Sequence, residues 1–212
     1  MNSKITIIVP VYNQEKLLQR ALDSLPLSKE YQYILIDDGS TDGSDTIMEQ
    51  WFLKNQIKLG VHSIFMPLEK NSGIAKVMNA GFDMAEGDYI VSLSSDDYFI
   101  KGFSEFMPYL NGINDLVYFD LQINNGEIWH LDNESKHKFV GAVKFIRREF
   151  LGDTRIPDLK YREDVPFSEQ LYAKNPKEVF TGTVLKHYNY PHVGSLTWQA
   201  LEDDKKGVKN DK

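Results

Sequence analysis

The stretch "DYIVSLSSDDYF", residues 88–99, decides how the chain is read. An apolar run stops abruptly at Ser94, Ser95, Asp96 and Asp97, and aromatic residues resume at Tyr98. A short run that is apolar on both faces and bounded by small and acidic residues reads as a strand buried on both sides. Two adjacent carboxylates at its mouth repel each other unless water, a helix N-terminus or a cation compensates them.

The flanking sequence repeats the pattern. "KITIIV" (4–9) is ended by Pro10, "YQYILIDDGS" (31–40) stops at Asp37 and Asp38, and "VHSIFM" (61–66) supplies a third run. Between them, "EKLLQRALDSL" (15–25), "TDGSDTIMEQWFLKN" (41–55) and "NSGIAKVMNAGFDMAEG" (71–87) read as helices, the second with Thr41 or Asp42 as N-cap. The alternation predicts a parallel sheet with helices on both faces. In such sheets ligands bind outside the carboxyl ends of the strands. The polar clusters at 10–14, 37–42 and 94–97 all fall at those ends.

After residue 99 the character changes. "DLVYFDLQINNGEIWHL" (115–131) reads as two strands around an Asn-Asn-Gly turn. "VKFIRREF" (143–150) fits strand or helix, "EDVPFSEQLYAKN" (163–175) a helix with Pro166 in its first turn, and "TGTVLKHYNY" (181–190) a strand. The terminus "EDDKKGVKNDK" (202–212) is charged and reads as a flexible tail. No repeat or linker interrupts the chain, so a single domain is expected over 1–198, followed by a tail over 199–212.

Composition bounds the function classes. The 212 residues suffice for a sizeable core without staples, and the absence of cysteine excludes disulfides and thiolate metal sites. A net charge of −7 lacks the basic footprint of a nucleic-acid binder. Lys144, Arg147 and Arg148 form a local basic cluster, which reads as a solvated face. The aromatic share of 12% leaves material for stacking surfaces. The start "MNSKITIIVPVYNQ" has too short an apolar run for a signal peptide, and no segment is long and apolar enough to span a membrane, so the expected location is cytoplasmic.

The motifs that are absent narrow the chemistry. Where a dinucleotide fold would carry its glycine fingerprint the chain reads "VPVYNQE" (9–15), and Walker-A spacing does not occur. Phosphates bound here would need another partner, and a cation held by Asp96 is the natural one. Glu163 and Asp164 stand at the start of a helix, where they read as capping residues or as a general base. No pair of histidines has zinc-helix spacing, and no nucleophile-elbow motif is present. His187 and His192 flank an aromatic segment and read as satisfied histidines, lone metal ligands or phosphate contacts.

Taken together, "VPVYNQ" (9–14), "IDDGSTDGS" (36–44), "NSGIAKVMNAG" (71–81), "GDYIVSLSSDDYF" (87–99), "REDVPF" (162–167) and "YNYPHVGSLT" (188–197) resemble the inverting family-two glycosyltransferases with the A-type nucleotide-sugar fold. The resemblance implies a Rossmann-like, mainly parallel α/β sheet, with residues 1–98 binding a nucleotide sugar and 99–198 facing the acceptor. It implies that Asp38 contacts the base, usually uracil, and that Pro10, Tyr12 and Asn13 line the base and ribose pocket. It sets Asn71, Gly73, Asn79 and Ser95 beside the nucleotide, Asp96 on a divalent cation (Mn²⁺ or Mg²⁺) and Asp164 as catalytic base, and His192, from its own reading above, is the further candidate cation ligand. The donor would be a UDP-sugar and the acceptor a glycan, a lipid-linked precursor or a protein.

The chain departs from that pattern in three places. Ser94 stands where an acid is common, and Met78 and Pro191 stand where arginine is common, with Lys76, Lys144 or His192 as candidate replacements. These departures motivate an alternative, a degenerate module that binds nucleotide sugar or glycan without turnover. The "EDVPF" segment weighs against it. A sugar-phosphate nucleotidyltransferase would need a glycine-rich, basic loop after the first strand, which "VPVYNQE" is not.

Overall fold

A computed structural model of the chain describes residues 4–137, 141–190, 192–193 and 195–206. The first half follows the expected alternation. Strands β1 (Ile5–Val11), β2 (Tyr31–Asp37), β3 (Ile64–Pro67) and β4 (Tyr89–Ser92) are joined by helices α1 (Glu15–Asp23), α2 (Ser44–Asn55) and α3 (Ile74–Met84). All four strands are parallel, in the order β3-β2-β1-β4. The β-branched residues of β1 and β2 are buried on both faces, because helices cover the sheet from either side. Helix α2 begins at Ser44 with Gly43 at its N-cap, later than Thr41 or Asp42 would set it. Asp42 instead accepts the amides of Ser44 and of Glu15, tying the starts of two helices together.

The second half adds β5 (Tyr98–Phe99), β6 (Leu116–Ile123), β7 (Ile128–Trp129), β8 (Lys144–Arg147) and β9 (Glu178–Tyr188), with helices α4 (Arg148–Leu151), α5 (Asp164–Tyr172) and α6 (Leu196–Lys205). The nine-stranded sheet continues β4-β8-β6-β9-β5, with β7 on β6 as the expected hairpin. The ambiguous segment 143–150 is both elements in turn, strand to Arg147 and helix from Arg148. Strand β8 runs antiparallel to both β4 and β6. Its register pairs Ile146 with Ile90, so its first residue, Lys144, lies toward the carboxyl end of β4.

Much of the aromatic content is core rather than stacking surface. Phe99, Phe103, Phe106, Phe119 and Phe145 are buried together, and Phe103 meets Phe99 and Phe145 edge-on with ring centroids 5.2 Å apart. Such pairs add about 0.5–1.5 kcal/mol each beyond the area they bury. The cluster fixes β5, β6 and β8 against the segment 100–110, which carries no regular helix.

The basic cluster is not a solvated face. Lys144 is buried, Arg147 pairs with Asp115 and Glu149, and Arg148 donates to the Gly87 carbonyl. Residues 199–205, read as the start of a tail, continue α6, where Ala200 is buried and Lys160 pairs with Asp203. Residues 207–212 and Pro191 lie outside the described residues. Among the described residues no helix is long and apolar enough to cross a membrane.

Candidate functional site

Three loops converge at the carboxyl ends of β1, β2 and β4. The first two are locked together by Asn13, whose backbone is left-handed (φ 50°). Its amide donates to Ser40 Oγ and its side-chain oxygen accepts the amide of Thr41. Asp37 is buried and accepts both the amide and the hydroxyl of Ser40. Asp38 turns the other way. One carboxylate oxygen takes the amide and hydroxyl of Ser72 at 2.7 Å each, and the other takes the amide of Gly73 at 2.9 Å. Neighbouring backbone and hydroxyl donors therefore compensate this acidic pair. Gly73 is the N-cap of α3 at φ 94°, a conformation that favours glycine, and the positive end of α3 faces Asp38. Gly39 is constrained more tightly: it has φ 67°, and a β-carbon there would lie 2.5 Å from the Lys70 carbonyl carbon.

Around this rim Pro10 is the penultimate residue of β1, and Tyr12 and Asn71 are exposed. Asn79 spends its amide elsewhere: it donates to the Ile156 carbonyl at 2.8 Å and accepts the Ile156 amide at 2.9 Å, fastening α3 to the 152–158 segment. Met78 is a core residue of α3. Lys76 is exposed and 3.5 Å from Asp158, and Lys144 is buried, which removes it as a replacement for a surface phosphate contact.

The two acids of the β4 turn diverge. Asp97 points inward and is fully buried, 3.0 Å from the equally buried Lys186 of β9, and also accepts the Asn189 amide. Asp96 points outward, 18% exposed, with its carboxylate 3.5 Å from His192 Nδ1. That separation is not a hydrogen bond, and among the described residues the buried Nδ1 of His192 has no hydrogen-bond partner. Burial pushes the Asp96 carboxyl above the usual range, and the neighbouring Asp97 charge adds to the shift. Among the described residues no third acid or histidine joins them. Ser95 is buried in the turn, which closes through the Asp97 amide on the Ser94 carbonyl.

A stack props this turn from below. His187 lies parallel to Tyr98 at 4.5 Å, and the Arg20 guanidinium covers Tyr98 at 4.6 Å while donating to the Asp96 carbonyl. Neither Arg20 nor Lys186 was found by motif reading. Lys186 left one trace, a lone lysine among apolar and aromatic neighbours of a strand. Arg20 left none, because nothing in α1 ties it to a residue 76 positions away.

Asp164 opens α5 and Glu163 is its N-cap residue, yet Glu163 makes no side-chain capping bond. The preceding Arg162 has φ 57°, uncommon for a residue with a side chain. Helix α5 packs on α3 through Phe167 stacked on Phe82, 5.6 Å between centroids. Burial raises both carboxyls, Glu163 to about 7. An acid whose folded-state pKa lies above its unfolded value costs stability as pH rises from the unfolded to the folded value. Glu163→Gln should therefore raise the melting temperature at pH 8 and leave it unchanged at pH 4, by calorimetry at both pH values. Equal effects at the two would contradict the burial of this carboxyl.

The fold, with its acidic turns at the strand ends, is of the nucleotide-diphosphosugar transferase class. The profile described as Glycosyl transferase family 2 matches residues 6–163, and the chain belongs to that family. It is 27% identical over 217 residues to the putative teichuronic acid biosynthesis glycosyltransferase TuaG of Bacillus subtilis, covering 93% of this chain and 84% of that protein. It superimposes with a TM-score of 0.74 on TarS 1–349 of S. aureus in complex with UDP, at 25% identity, covering 88% of this chain and 60% of that one. The mannosyltransferase PcManGT of Pyrobaculum calidifontis, in complex with GDP-Man and Mn²⁺, shares the fold at a TM-score of 0.71 and 15% identity, over 100% of this chain and 66% of that one. The chain spans 23% and 29% of the length of the first curated relatives it matches.

Proposed function

We propose that the chain transfers a sugar from a UDP-sugar to an acceptor hydroxyl with inversion at the anomeric carbon. The observation that carries this reading is the division of the acids. Asp37, Asp38 and Asp97 are buried and spent on structural hydrogen bonds or an ion pair, whereas Asp96, beyond β4, and Asp164, where the amides of the first turn of α5 meet it, are both partly exposed. Membership of glycosyl transferase family 2 and the likeness to a UDP complex support it.

In this reading Asp38 holds the loop 71–73 and, with Pro10, Tyr12, Asn13 and Asn71, forms the wall for base and ribose. Asp164 accepts the proton of the acceptor hydroxyl as that oxygen bonds to the anomeric carbon. The bond from the anomeric carbon to the donor phosphate breaks on the opposite face, and UDP leaves with the electron pair. The outward Asp96 carboxylate and His192 Nδ1, without a partner among the described residues, would hold a divalent cation beside the diphosphate. A bound Mn²⁺ or Mg²⁺ would offset charge on the departing diphosphate. Ser94 brings no charge to this site, so the cation should be held more weakly without nucleotide than with it. The acceptor is proposed as a glycan or a lipid-linked precursor of a cell-surface polymer, reached in the cytoplasm. This draws on the name of TuaG.

Calorimetric titration with UDP, with GDP as control, in Mn²⁺ and then in EDTA tests the reading. Binding of UDP but not GDP, lost in EDTA, is the expected result. Binding that survives EDTA would move the diphosphate contacts to side chains. Absence of binding to both nucleotides would overturn the UDP-sugar assignment.

A further inference from the structure

Lys144 is a charged side chain that the proposed mechanism leaves without a task. It is 4% exposed, on the first residue of β8. A solitary ammonium is costly to bury, so its surroundings should repay that cost. Its Nζ lies 3.4 Å from Ser168 Oγ of α5 and 3.5 Å from the Gly141 carbonyl, and over the Tyr118 ring of β6 at 5.7 Å. Gly141 marks the other side of the same contact, because a β-carbon there would stand 3.2 Å from Asp164 Oδ2. The ammonium and the Asp164 carboxylate therefore flank one glycine.

Two carboxylates share the field of this lysine, Asp164 of α5 and Glu178 of β9. Glu178 is already served by other groups: it pairs with Lys136 and accepts the Tyr118 hydroxyl, while Tyr172 of α5 donates its own hydroxyl to the Lys136 carbonyl. Asp164 is otherwise faced by Arg162, which precedes the helix, and by Glu163, whose carboxyl is raised.

We propose that Lys144 is the positioning residue of Asp164: its buried ammonium keeps that carboxylate ionised and aimed along Gly141. The proposal rests on the reading of Asp164 as the base. Two opposing effects act on Asp164, burial raising its pKa and the Lys144 charge lowering it. Burial also lowers Lys144 itself, to about 8, so its charge is present at neutral pH and is lost at mildly alkaline pH. Lys144 would thus set both the acidic threshold above which the base is competent and the alkaline limit of its own support.

The test is a pH titration of the Asp164 carboxyl carbon by NMR in the full chain, its resonance assigned by its absence in Asp164→Asn. In Lys144→Met, which keeps the length of the stem without the charge, the Asp164 midpoint should rise by about one pH unit or more. A midpoint unmoved in a variant with an otherwise native amide spectrum would overturn the proposal, because a purely structural lysine would leave it there. Should Lys144→Met fail to fold, the unmodified protein still decides. Its Asp164 resonance should show a second step at the pH where the Lys144 side-chain signal titrates, and the lack of that step would equally overturn the proposal. Turnover of Asp164→Asn separates the two readings. An inactive D164N with an unmoved midpoint removes only the role of Lys144, whereas an active D164N removes the base.

Discussion

Asp164→Asn is expected to lower sugar transfer by about 10²- to 10⁴-fold, the range general-base catalysis supplies, with UDP affinity unchanged. The substitution preserves shape and removes the carboxylate lone pair proposed to accept the acceptor proton. The loss should appear equally in kcat and kcat/KM, since the proton is in transfer only in the transition state. UDP released from the donor measures the rate of transfer, and calorimetry measures the UDP affinity. Asp164 lies in the first turn of α5, where a neutral amide is also tolerated, so the fold should survive. A variant with normal turnover would remove Asp164 from this role, and one that also lost UDP binding would point to a structural task instead.

Asp38→Ala should be the most damaging change on the nucleotide side. It strands three donors at once, the Ser72 amide, the Ser72 hydroxyl and the Gly73 amide, all held at 2.7–2.9 Å. Leaving one such donor unsatisfied costs about 1–3 kcal/mol, so a total loss of about 3 kcal/mol or more is expected once water reaches some of them. For a chain of this size that corresponds to a melting temperature lower by about 6 °C or more. Release of the 71–73 loop should also abolish UDP binding, even at temperatures where the variant stays folded. Asp38→Asn should be intermediate. Its remaining oxygen can still serve Ser72, but its amino group would face the Gly73 amide, donor against donor. Native UDP affinity in the alanine variant would show that the loop is not part of the nucleotide wall.

The two predictions differ in how far the sequence alone could have led to them. Asp38 stood out as one of a pair of acids ending a strand, and its place at the sheet rim follows from the alternation of strands and helices. Its partners did not, because Ser72 and Gly73 are more than thirty residues away and only the parallel pairing of β2 and β3 brings them close. The adjacent acids Asp96 and Asp97 carry the same lesson further. As sequence they are equivalent, yet one is buried on Lys186 and the other faces outward beside His192. Both lie in the turn between β4 and β5, and Asp97, the residue just before β5, is carried onto the neighbouring strand β9, where Lys186 and the Asn189 amide meet it.

Local signals thus determined the parallel half of this protein: four apolar runs, three helices of matching period, and polar clusters at the strand ends. These depend on backbone period and side-chain burial, which act within a few residues. In the second half the hairpin, the helix from Asp164 and the strand ending at Tyr188 were legible too, but the tertiary structure alone decided how they assemble. There the sheet reverses direction at β8, phenylalanines from four segments form one core, and a lysine that reads as a solvated charge lies buried beside Asp164. Those outcomes depend on contacts between residues far apart in the chain, where the local pattern is the same whether a side chain faces solvent or another strand.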